Sequence, residues 1–315
     1  MATLLLTHPC FVDHDTGAGH PERPDRMRVL DKVFAEEIFD GLVRDDAPLR
    51  DDCEEAILRA HPKSYLDAIK TARPEPGQPA VRLDPDTVLS PCTWEAALRA
   101  VGAGLEAVDR VFEKTNDIKN AFCQVRPCGH HAEAERAMGF CLFSNAAIAA
   151  HYARAQHGAD RVAVIDFDVH HGNGTQDIFW TEKDLFLGST HQMPLYPGTG
   201  ALREEGDKGT ICNAPLSPND GGGPFRDAFN NRILPALHDF APDLIIVSAG
   251  FDAHEADPLA NLRLVEDDFV WVTDKLMEAA EQQAGGRVVS MLEGGYDLAA
   301  LGRSASGHVQ MLMGA

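Results

Sequence analysis

The sequence predicts an α/β fold in which helices cover both faces of a mainly parallel sheet of about eight strands. Short apolar runs alternate with amphipathic segments of helical period through the second half of the 315-residue chain. The apolar runs are rich in β-branched residues and lack the in-out alternation of a water-facing sheet, so they predict strands buried on both faces. Polar, glycine-containing segments follow four of these runs, and ligands of such sheets bind beyond the carboxyl ends of the strands.

Each element has its own signal in the chain. Strands are expected in the amino-terminal run 1–8 and at 121–125, 161–165, 185–187, 244–247 and 287–292, where Val, Ile, Leu and Ala dominate. Helices are expected at 26–39 with Asp25 as N-cap, and at 93–114, 144–156, 225–240 and 265–283, where apolar residues recur at helical spacing. A last helix follows Tyr296, and the Pro-rich segment 71–86 is expected to be an exposed loop.

The composition excludes two classes of function. The chain has 28 Lys and Arg against 49 Asp and Glu, a formal net charge of −21, which argues against binding nucleic acid and suits cationic ligands such as lysine side chains or polyamines. No apolar run approaches the ~18 residues that predict a membrane span. The seven cysteines form no Cys-x-x-Cys pair, and the amino terminus lacks a signal-peptide pattern, so a reducing, cytoplasmic location is expected.

The segment from Asp166 to Asn173 is the strongest chemical signal. It leaves the carboxyl end of the predicted strand 161–165, and extended backbone would direct Asp166, Asp168 and His170 to one side. Two carboxylates and an imidazole in that arrangement predict a metal site. A polar strand end followed by a glycine turn is the simpler interpretation, but three other strands end in equally polar segments.

We expect the polar strand ends to meet at one edge of the sheet. Asp168, His170 and Asp252 would make a three-ligand set that leaves a further position open for water, as catalytic metal sites do. These ligands suit zinc, and ferrous iron could occupy the same set. The residues collected at this edge are His130, His131, Asp166, Asp168, His170, Asn173, Asp252 and Tyr296.

The remaining residues of this group supply acid-base and oxyanion chemistry. The adjacent pair His130 and His131 offers a general base with a pKa near neutrality, and Asp166 and Asn173 are acceptors for the far ring nitrogens. Tyr296 follows two glycines and can donate its hydroxyl to an oxyanion. Together these parts predict the hydrolysis of an amide or ester.

These motifs resemble those of zinc-dependent histone deacetylases and their bacterial amidohydrolase relatives, in the arginase and deacetylase superfamily, with a class II pattern. The similarity covers nearly the whole chain, and its motifs occur in the family's order. The matching segments are 20–24 (HPERP), 129–132 (GHHA), 138–141 (MGFC), 166–173 (DFDVHHGN), 196–200 (YPGTG), 250–252 (GFD) with 257–258 (DP), and 293–296 (EGGY).

The resemblance implies a three-layer arginase/deacetylase fold and a single histone deacetylase-like catalytic domain over 1–315. It implies one zinc ion held by Asp168, His170 and Asp252, with His131 as general base and acid. His130 would assist electrostatically, and Tyr296 would stabilise the tetrahedral oxyanion. It also implies a structural potassium ion, whose ligands would be Asp166, Asp168, His170, Ser189 and Thr190.

The substrate implied is an acetylated primary amine, with N-ε-acetyl-lysine in proteins or peptides as the leading candidate. Gly139, Phe140 and Tyr196 would line a narrow tunnel in which aromatic walls enclose the lysine stem. His20, in the polar loop 11–24, and Leu259 would lie at the rim. Acetylpolyamine-specific relatives carry Glu at the position of Leu259, so an acetylpolyamine or another small acylated amine is the alternative.

Three residues depart from related patterns. Asn173 stands where class I enzymes have Asp, so the partner of His131 is neutral and should keep that imidazole unprotonated. Tyr196 replaces a wall residue that is often Phe. Cys128 stands where class II relatives usually have Pro, and we interpret it as a packing residue whose oxidation could impair activity.

Three other functions are alternatives on the sequence alone. Arginase-type enzymes bind two manganese ions through Asp-x-His-x-Asp, but Gly172 occupies the last position and His254 replaces a later Asp. A catalytically silent acyl-lysine binding protein should have lost Tyr296 or a zinc ligand. A cysteine hydrolase using Cys128 or Cys141 with His130 would leave the predicted metal ligands without a role.

Overall fold

A computed structural model describes residues 2–314 and contains one eight-stranded parallel sheet. Its strands are β1 (Ala2–Thr7), β2 (Val43–Asp46), β5 (Ile118–Cys123), β6 (Val162–Asp166), β7 (Leu185–Gln192), β8 (Ile211–Leu216), β9 (Leu244–Ala249) and β10 (Val288–Leu292). Their spatial order is β2-β1-β5-β10-β9-β6-β7-β8. Two short strands, β3 (Val81–Arg82) and β4 (Val88–Leu89), form a separate antiparallel hairpin. The predicted first strand includes Met1, which lies outside the described residues.

Helices pack against this sheet in two groups. The α-helices are α1 (Asp25–Phe34), α2 (Cys53–Ile57), α3 (Lys63–Ala72), α4 (Thr93–Phe112), α5 (Asn145–His157), α6 (Asn173–Phe179), α7 (Gly222–Ala228), α8 (Leu234–Phe240), α9 (Glu266–Gln283) and α10 (Leu298–Leu312). In one group α4 and α5 pack on each other and on the central strands, and in the other α10 packs on α1 and α9. Every residue of β6, β9 and β10 is buried, as cover on both faces requires.

The predicted fold class is therefore confirmed, and most element boundaries differ by only a few residues. Strand β7 is longer than expected, because its polar residues 188–192 pair in register with β8, a strand that the sequence pattern did not single out. Pro24 occupies the N-cap position of α1, and Asp25 is the first helical residue, where its side chain accepts a hydrogen bond from Arg28.

Two further segments correct the expectations. The helix expected at 26–39 ends at Phe34 and is followed by a short 3₁₀ turn. The helix expected at 225–240 begins at Gly222 and contains a π-helical turn, Phe229–Ile233, between α7 and α8. Within residues 2–314, no helix combines the length and apolar character needed to cross a membrane.

The strand order places the polar segments side by side. β9 lies between β6 and β10, and β10 pairs with β5 on its other side. All these strands run in the same direction, so the segments that follow them emerge at the same edge of the sheet. This edge carries the candidate site.

Candidate active site

The three predicted metal ligands converge in a buried cluster. Asp168 and His170 lie in the turn after β6, and Asp252 follows β9. The Nδ1 atom of His170 lies 3.2 Å from Asp168 Oδ1 and 3.1 Å from Asp252 Oδ2. One ligand atom from each residue lies within 4.8 Å of the other two. The sheet therefore brings together side chains that are more than 80 positions apart in sequence.

The donor set fits a divalent cation. Burial and the adjacent Asp168 carboxylate raise the pKa of Asp252. Against the effect of burial, hydrogen bonds to Asp168 and Asp252 raise the pKa of His170 to about 10, so the two carboxylates favour a positive charge between them. Two carboxylates and one imidazole are ligands that zinc and ferrous iron accept. The backbone N–H groups of Val169 and Gly294 donate to Asp252 Oδ1 and Asp168 Oδ2 at 2.9 and 2.8 Å, which orients both carboxylates.

Glycines allow the backbone to approach these carboxylates. A Cβ atom on Gly250 would lie 2.1 Å from Asp168 Oδ2, and one on Gly294 would lie 2.1 Å from Asp252 Oδ2. Both distances are far below van der Waals contact. The glycines of the 250–252 and 293–296 motifs thus make room for the ligand cluster.

The histidine pair lies beside this cluster, and its members have different partners. His130 Nδ1 lies 3.0 Å from Asp166 Oδ2, whereas His131 Nδ1 lies 2.8 Å from Asn173 Oδ1. Their ring centroids are 4.0 Å apart. Each imidazole thus has the second acceptor expected for it, one charged and one neutral.

These partners shift the two pKa values in opposite directions. Burial alone would lower the pKa of His130, but the Asp168 and Asp166 carboxylates outweigh it and raise that pKa well above its usual range. Burial, together with His130 and His170, lowers the pKa of His131 well below its usual range. The surroundings therefore favour the charged form of His130 and the neutral form of His131, a division suited to acid-base work.

Tyr296 is fixed through its backbone. Its N–H donates to Asp257 Oδ2 at 2.7 Å, and the same carboxylate accepts from Asp297 N at 3.2 Å and, through Oδ1, from Leu259 N at 3.0 Å. The Arg26 guanidinium lies 5.2 Å from the centroid of the phenol ring. Asp257 thus ties the turn that carries Tyr296 to the rim residue Leu259.

A cavity of about 590 Å³ opens above the cluster. His131, His170 and Tyr296 lie at its inner part. All five residues predicted to contact substrate line it, namely His20, Gly139, Phe140, Tyr196 and Leu259. The Phe140 ring lies 5.9 Å from the Tyr296 ring, and the half-exposed Tyr196 ring lies 5.1 Å from the His131 ring.

The turn that presents Phe140 has an unusual backbone. Gly139 and Phe140 have φ values of 56° and 70°. A Cβ atom on Gly139 would lie 2.4 Å from His131 Cδ2, so a glycine is required for close contact with that imidazole. Positive φ at Phe140 is costly for an L side chain.

The predicted potassium ligands lie next to the same cluster. Ser189 and Thr190 are inside β7, and Ser189 pairs in register with Asp166 of β6. The Thr190 hydroxyl is buried and has no hydrogen-bond partner among the described residues, whereas Ser189 Oγ lies 2.9 Å from His191 Nδ1. Asp166 Oδ1 accepts from Asp168 N at 3.0 Å.

Two rival functions are disfavoured by contacts. A Cβ atom on Gly172 would lie 2.3 Å from Asp166 Oδ2, so this position has no room for the third ligand of a two-manganese site. In the described residues, the Cys128 and Cys141 thiols contact each other and the Gly139 carbonyl and have no hydrogen bond to an imidazole. A cysteine nucleophile needs such a base or another source of activation.

Sequence reasoning did not assign roles to several residues that contact the site. In the sequence, Asp257 and Glu293 stand out only as members of motifs, and Arg26 and Glu133 belong to none of the matching segments. Glu133 Oε1 accepts from Asn173 Nδ2 at 2.8 Å, and Arg26 Nε donates to the Gly295 carbonyl at 2.7 Å. Asp257 and Glu293 could have been found from the motifs that contain them, but Arg26 and Glu133 had no local signal.

Comparison with known proteins agrees with this arrangement. A family model described as "Histone deacetylase domain" matches residues 20–312. The histone deacetylase-like amidohydrolase of Pseudomonas aeruginosa is 39% identical, over 93% of this chain and 77% of that protein. The uncharacterized protein slr0245 of Synechocystis sp. is 40% identical, over 93% of this chain and 94% of that protein.

A solved structure, described as the crystal structure of the HDA15 HD domain, superposes with a TM-score of 0.91 at 34% identity. The match covers 99% of this chain and 88% of the other. Fold and relatives together define a hydrolase of the deacetylase and amidohydrolase class, built on the arginase/deacetylase α/β fold. Within that class, the chain belongs to the histone deacetylase family.

Proposed function

We propose that this protein is a zinc-dependent deacetylase that hydrolyses the amide of an acetylated primary amine, with N-ε-acetyl-lysine in proteins or peptides as the main substrate. One observation carries the proposal: a three-ligand cluster, two imidazoles with opposite pKa shifts and a phenol meet at the inner part of one cavity. Any one of these groups could serve a purely structural purpose. Their convergence supports metal-assisted amide hydrolysis.

Asp168, His170 and Asp252 would hold the zinc ion. When bound, zinc would supply the Lewis acidity that polarises the amide carbonyl and lowers the pKa of a water molecule. Asp166, Asp168, His170, Ser189 and Thr190 are the residues we propose for a structural potassium ion. The buried Thr190 hydroxyl, which has no partner among the described residues, supports a ligand at that position.

His131 would act as the general base and then as the general acid. Its lowered pKa and its neutral partner Asn173 keep Nε2 free to accept a proton from the attacking water. The same nitrogen would return that proton to the departing amine. His130, paired with Asp166, would stay charged and stabilise negative charge that develops on the substrate.

Tyr296 would stabilise the oxyanion of the tetrahedral intermediate by donating its hydroxyl hydrogen. Its position in the cavity lining supports this role. Burial raises the pKa of the phenol well above its usual range, so the group stays protonated and able to donate. The Asp257 carboxylate would help to hold the ring in place through the Tyr296 backbone.

Phe140 and Tyr196 would enclose the aliphatic stem of the acylated amine. Their rings, with Gly139 between Phe140 and His131, line the cavity and leave apolar surface for methylene groups. At the rim, Leu259 offers no carboxylate to a second amine. This favours acetyl-lysine over an acetylpolyamine, which remains the second candidate because its free ammonium groups suit the negative charge of the chain.

The test is a substrate panel with the metal content measured in parallel. Purified protein would be assayed on acetyl-lysine peptides, acetylpolyamines and longer acyl-lysines, with the His131→Ala variant as a control for background hydrolysis. We expect turnover of acetyl-lysine peptides that is lost with a chelator and restored by zinc. Stoichiometric metal without turnover on any member of the panel would contradict the proposal and favour a silent acyl-lysine binding protein.

A further inference from the structure

Two cysteine thiols lie in contact behind the active-site cavity. Cys128 is two residues before His130, and Cys141 directly follows Phe140. Their sulfurs are 3.2 Å apart although the residues are separated by 13 positions. Both thiols are buried and free. The proposed catalytic steps use neither of them.

A carboxylate completes this cluster. One oxygen of the buried Glu293 lies within 4.8 Å of both sulfurs. Glu293 Oε2 accepts from the N–H groups of Gly129 and His130 at 2.7 and 3.2 Å, but Oε1 is buried without a hydrogen-bond partner among the described residues. A buried carboxylate oxygen without a partner is costly, so it indicates that a ligand is held there.

We propose that Cys128, Cys141 and Glu293 form a second metal site that takes a thiophilic divalent cation of the Zn²⁺ and Cd²⁺ type. Thiolate sulfur and carboxylate oxygen are both zinc ligands, and paired thiolates select soft cations over Mg²⁺ or Ca²⁺. The site is distinct from the Asp168, His170 and Asp252 cluster, whose donors are oxygen and nitrogen only.

The carboxylate favours a cation over a disulfide as the state of this cluster. Oxidation of the two thiols would join the sulfurs but leave Glu293 Oε1 without a partner, whereas a cation would engage all three groups. Burial also raises the pKa of Cys141 well above its usual range and that of Glu293 to about 7. Buried thiols and carboxyl groups of this kind release their protons when a metal ion binds in place of those protons.

Charge balance is compatible with one divalent ion. Binding releases a proton from each thiol, and two thiolates with one carboxylate leave a single net negative charge around the ion. Arg26 donates from Nη2 to the backbone carbonyl of Glu293, so a guanidinium lies near that charge. No electron transfer and no co-reactant are required.

A metal ion bound at this site would affect the active-site cavity through the backbone carbonyl of Gly139. Both thiols donate to the Gly139 oxygen, Cys141 at 3.3 Å and Cys128 at 3.9 Å. A bound cation removes both donors from the turn that presents Phe140. If the chain is the deacetylase proposed above, this consequence predicts a severalfold higher KM for acyl-lysine substrate when the thiol site is loaded.

The experiment measures cadmium binding directly. Reduced, metal-free protein would be equilibrated with excess Cd²⁺, freed of unbound ion, and examined for bound metal and for thiolate-to-cadmium charge-transfer absorption in the ultraviolet. We expect two ions per chain with this absorption in the original protein. In Cys128→Ala we expect one ion and no such absorption.

One variant separates this site from the proposed catalytic centre, and a second is a control for other cysteines. Asp252→Ala should keep the charge-transfer absorption while losing the other ion, so failure of the catalytic metal site leaves this test intact. Cys92→Ala, which removes an exposed cysteine, should change neither quantity.

Two results would overturn the assignment. The first is an absence of charge-transfer absorption in both the original protein and Asp252→Ala. The second is absorption that persists in both Cys128→Ala and Cys141→Ala. An equal KM in the loaded original protein and loaded Cys128→Ala would disprove the effect on the Phe140 turn.

Discussion

The partner of His131 offers the sharpest test of the proposed mechanism. In Asn173→Asp, a carboxylate oxygen would replace the amide oxygen that lies 2.8 Å from His131 Nδ1. A negative charge at this position stabilises the imidazolium and raises the pKa of His131. Because the proposed base acts in its neutral form, a higher pKa means that activity is lost at a higher pH as the solution is acidified.

The size of this shift follows from the geometry. With the two charges centred about 4 Å apart and an effective dielectric constant of about 20, the attraction is about 4 kcal/mol, or roughly three pKa units. Burial opposes ionisation of the new carboxylate, so we expect a net rise of roughly one to three units. The acid limb of kcat/KM should lie below the ordinary His value of about 6.5 in the original protein and move upward by this amount in the variant.

The assay is the pH profile of kcat/KM on an acetyl-lysine peptide, with zinc content and unfolding temperature recorded for each protein. The nearby Glu133 carboxylate requires a control variant. Its Oε1 accepts from Asn173 Nδ2 at 2.8 Å, so in Asn173→Asp two carboxylates would lie next to each other and repel. Asn173→Asp should therefore be repeated in a Glu133→Gln background, where the rise should be larger. A folded, zinc-loaded Asn173→Asp protein whose acid limb does not move would refute His131 as the titrating base.

Four other substitutions test separate parts of the site. Tyr296→Phe should lower kcat by ~10² or more with zinc content unchanged, because one oxyanion donor is lost, and near-normal turnover would remove that role. Asp252→Ala should abolish zinc binding at the catalytic cluster, whereas full metal content after dialysis would show that the ligand set is wrong. Asp257→Asn should lower kcat about tenfold, since it weakens acceptors of the Tyr296, Asp297 and Leu259 N–H groups. In a Tyr296→Phe background, Asp257→Asn should lower kcat little further. If the two losses of kcat are additive, Asp257 does not act through the Tyr296 hydroxyl. Leu259→Glu should raise the ratio of acetylpolyamine to acetyl-lysine turnover roughly fivefold through one partly exposed ion pair, and an unchanged ratio would exclude this position from selectivity.

Local pattern was a good guide to the elements and a poorer guide to their ends. β6 and β9 were recognisable because buried parallel strands require continuous apolar runs. β7 was predicted too short because its last residues are polar, yet all eight of its residues are buried against neighbouring strands and helices. Polar residues inside a sheet are accepted when their partners are present, and those partners come from elsewhere in the chain.

Some residues of the candidate site could be predicted from the sequence, whereas several of its contacts could not. Asp168 and His170 are identifiable from their spacing, and Asp252 and Tyr296 from the polar segments that follow two other strands. The family resemblance implies the same roles. The three bonds accepted by Asp257 and the contact between Cys128 and Cys141 had no counterpart in a linear pattern. Such contacts depend on turns of particular shape, including the positive-φ residues Gly139 and Phe140.

By itself, the sequence determined the alternation of strands and helices, the burial of the sheet and the kinds of side chain that follow each strand. Hydrophobic periodicity and residue chemistry are local properties, and they can be read without coordinates. Only the tertiary structure decided which N–H groups Asp257 accepts from, that Cys128 contacts Cys141, and which carboxylates lie within a few ångströms of one another. Those distances are decided when β9 packs between β6 and β10, because side chains far apart in the chain then share one buried space of low dielectric.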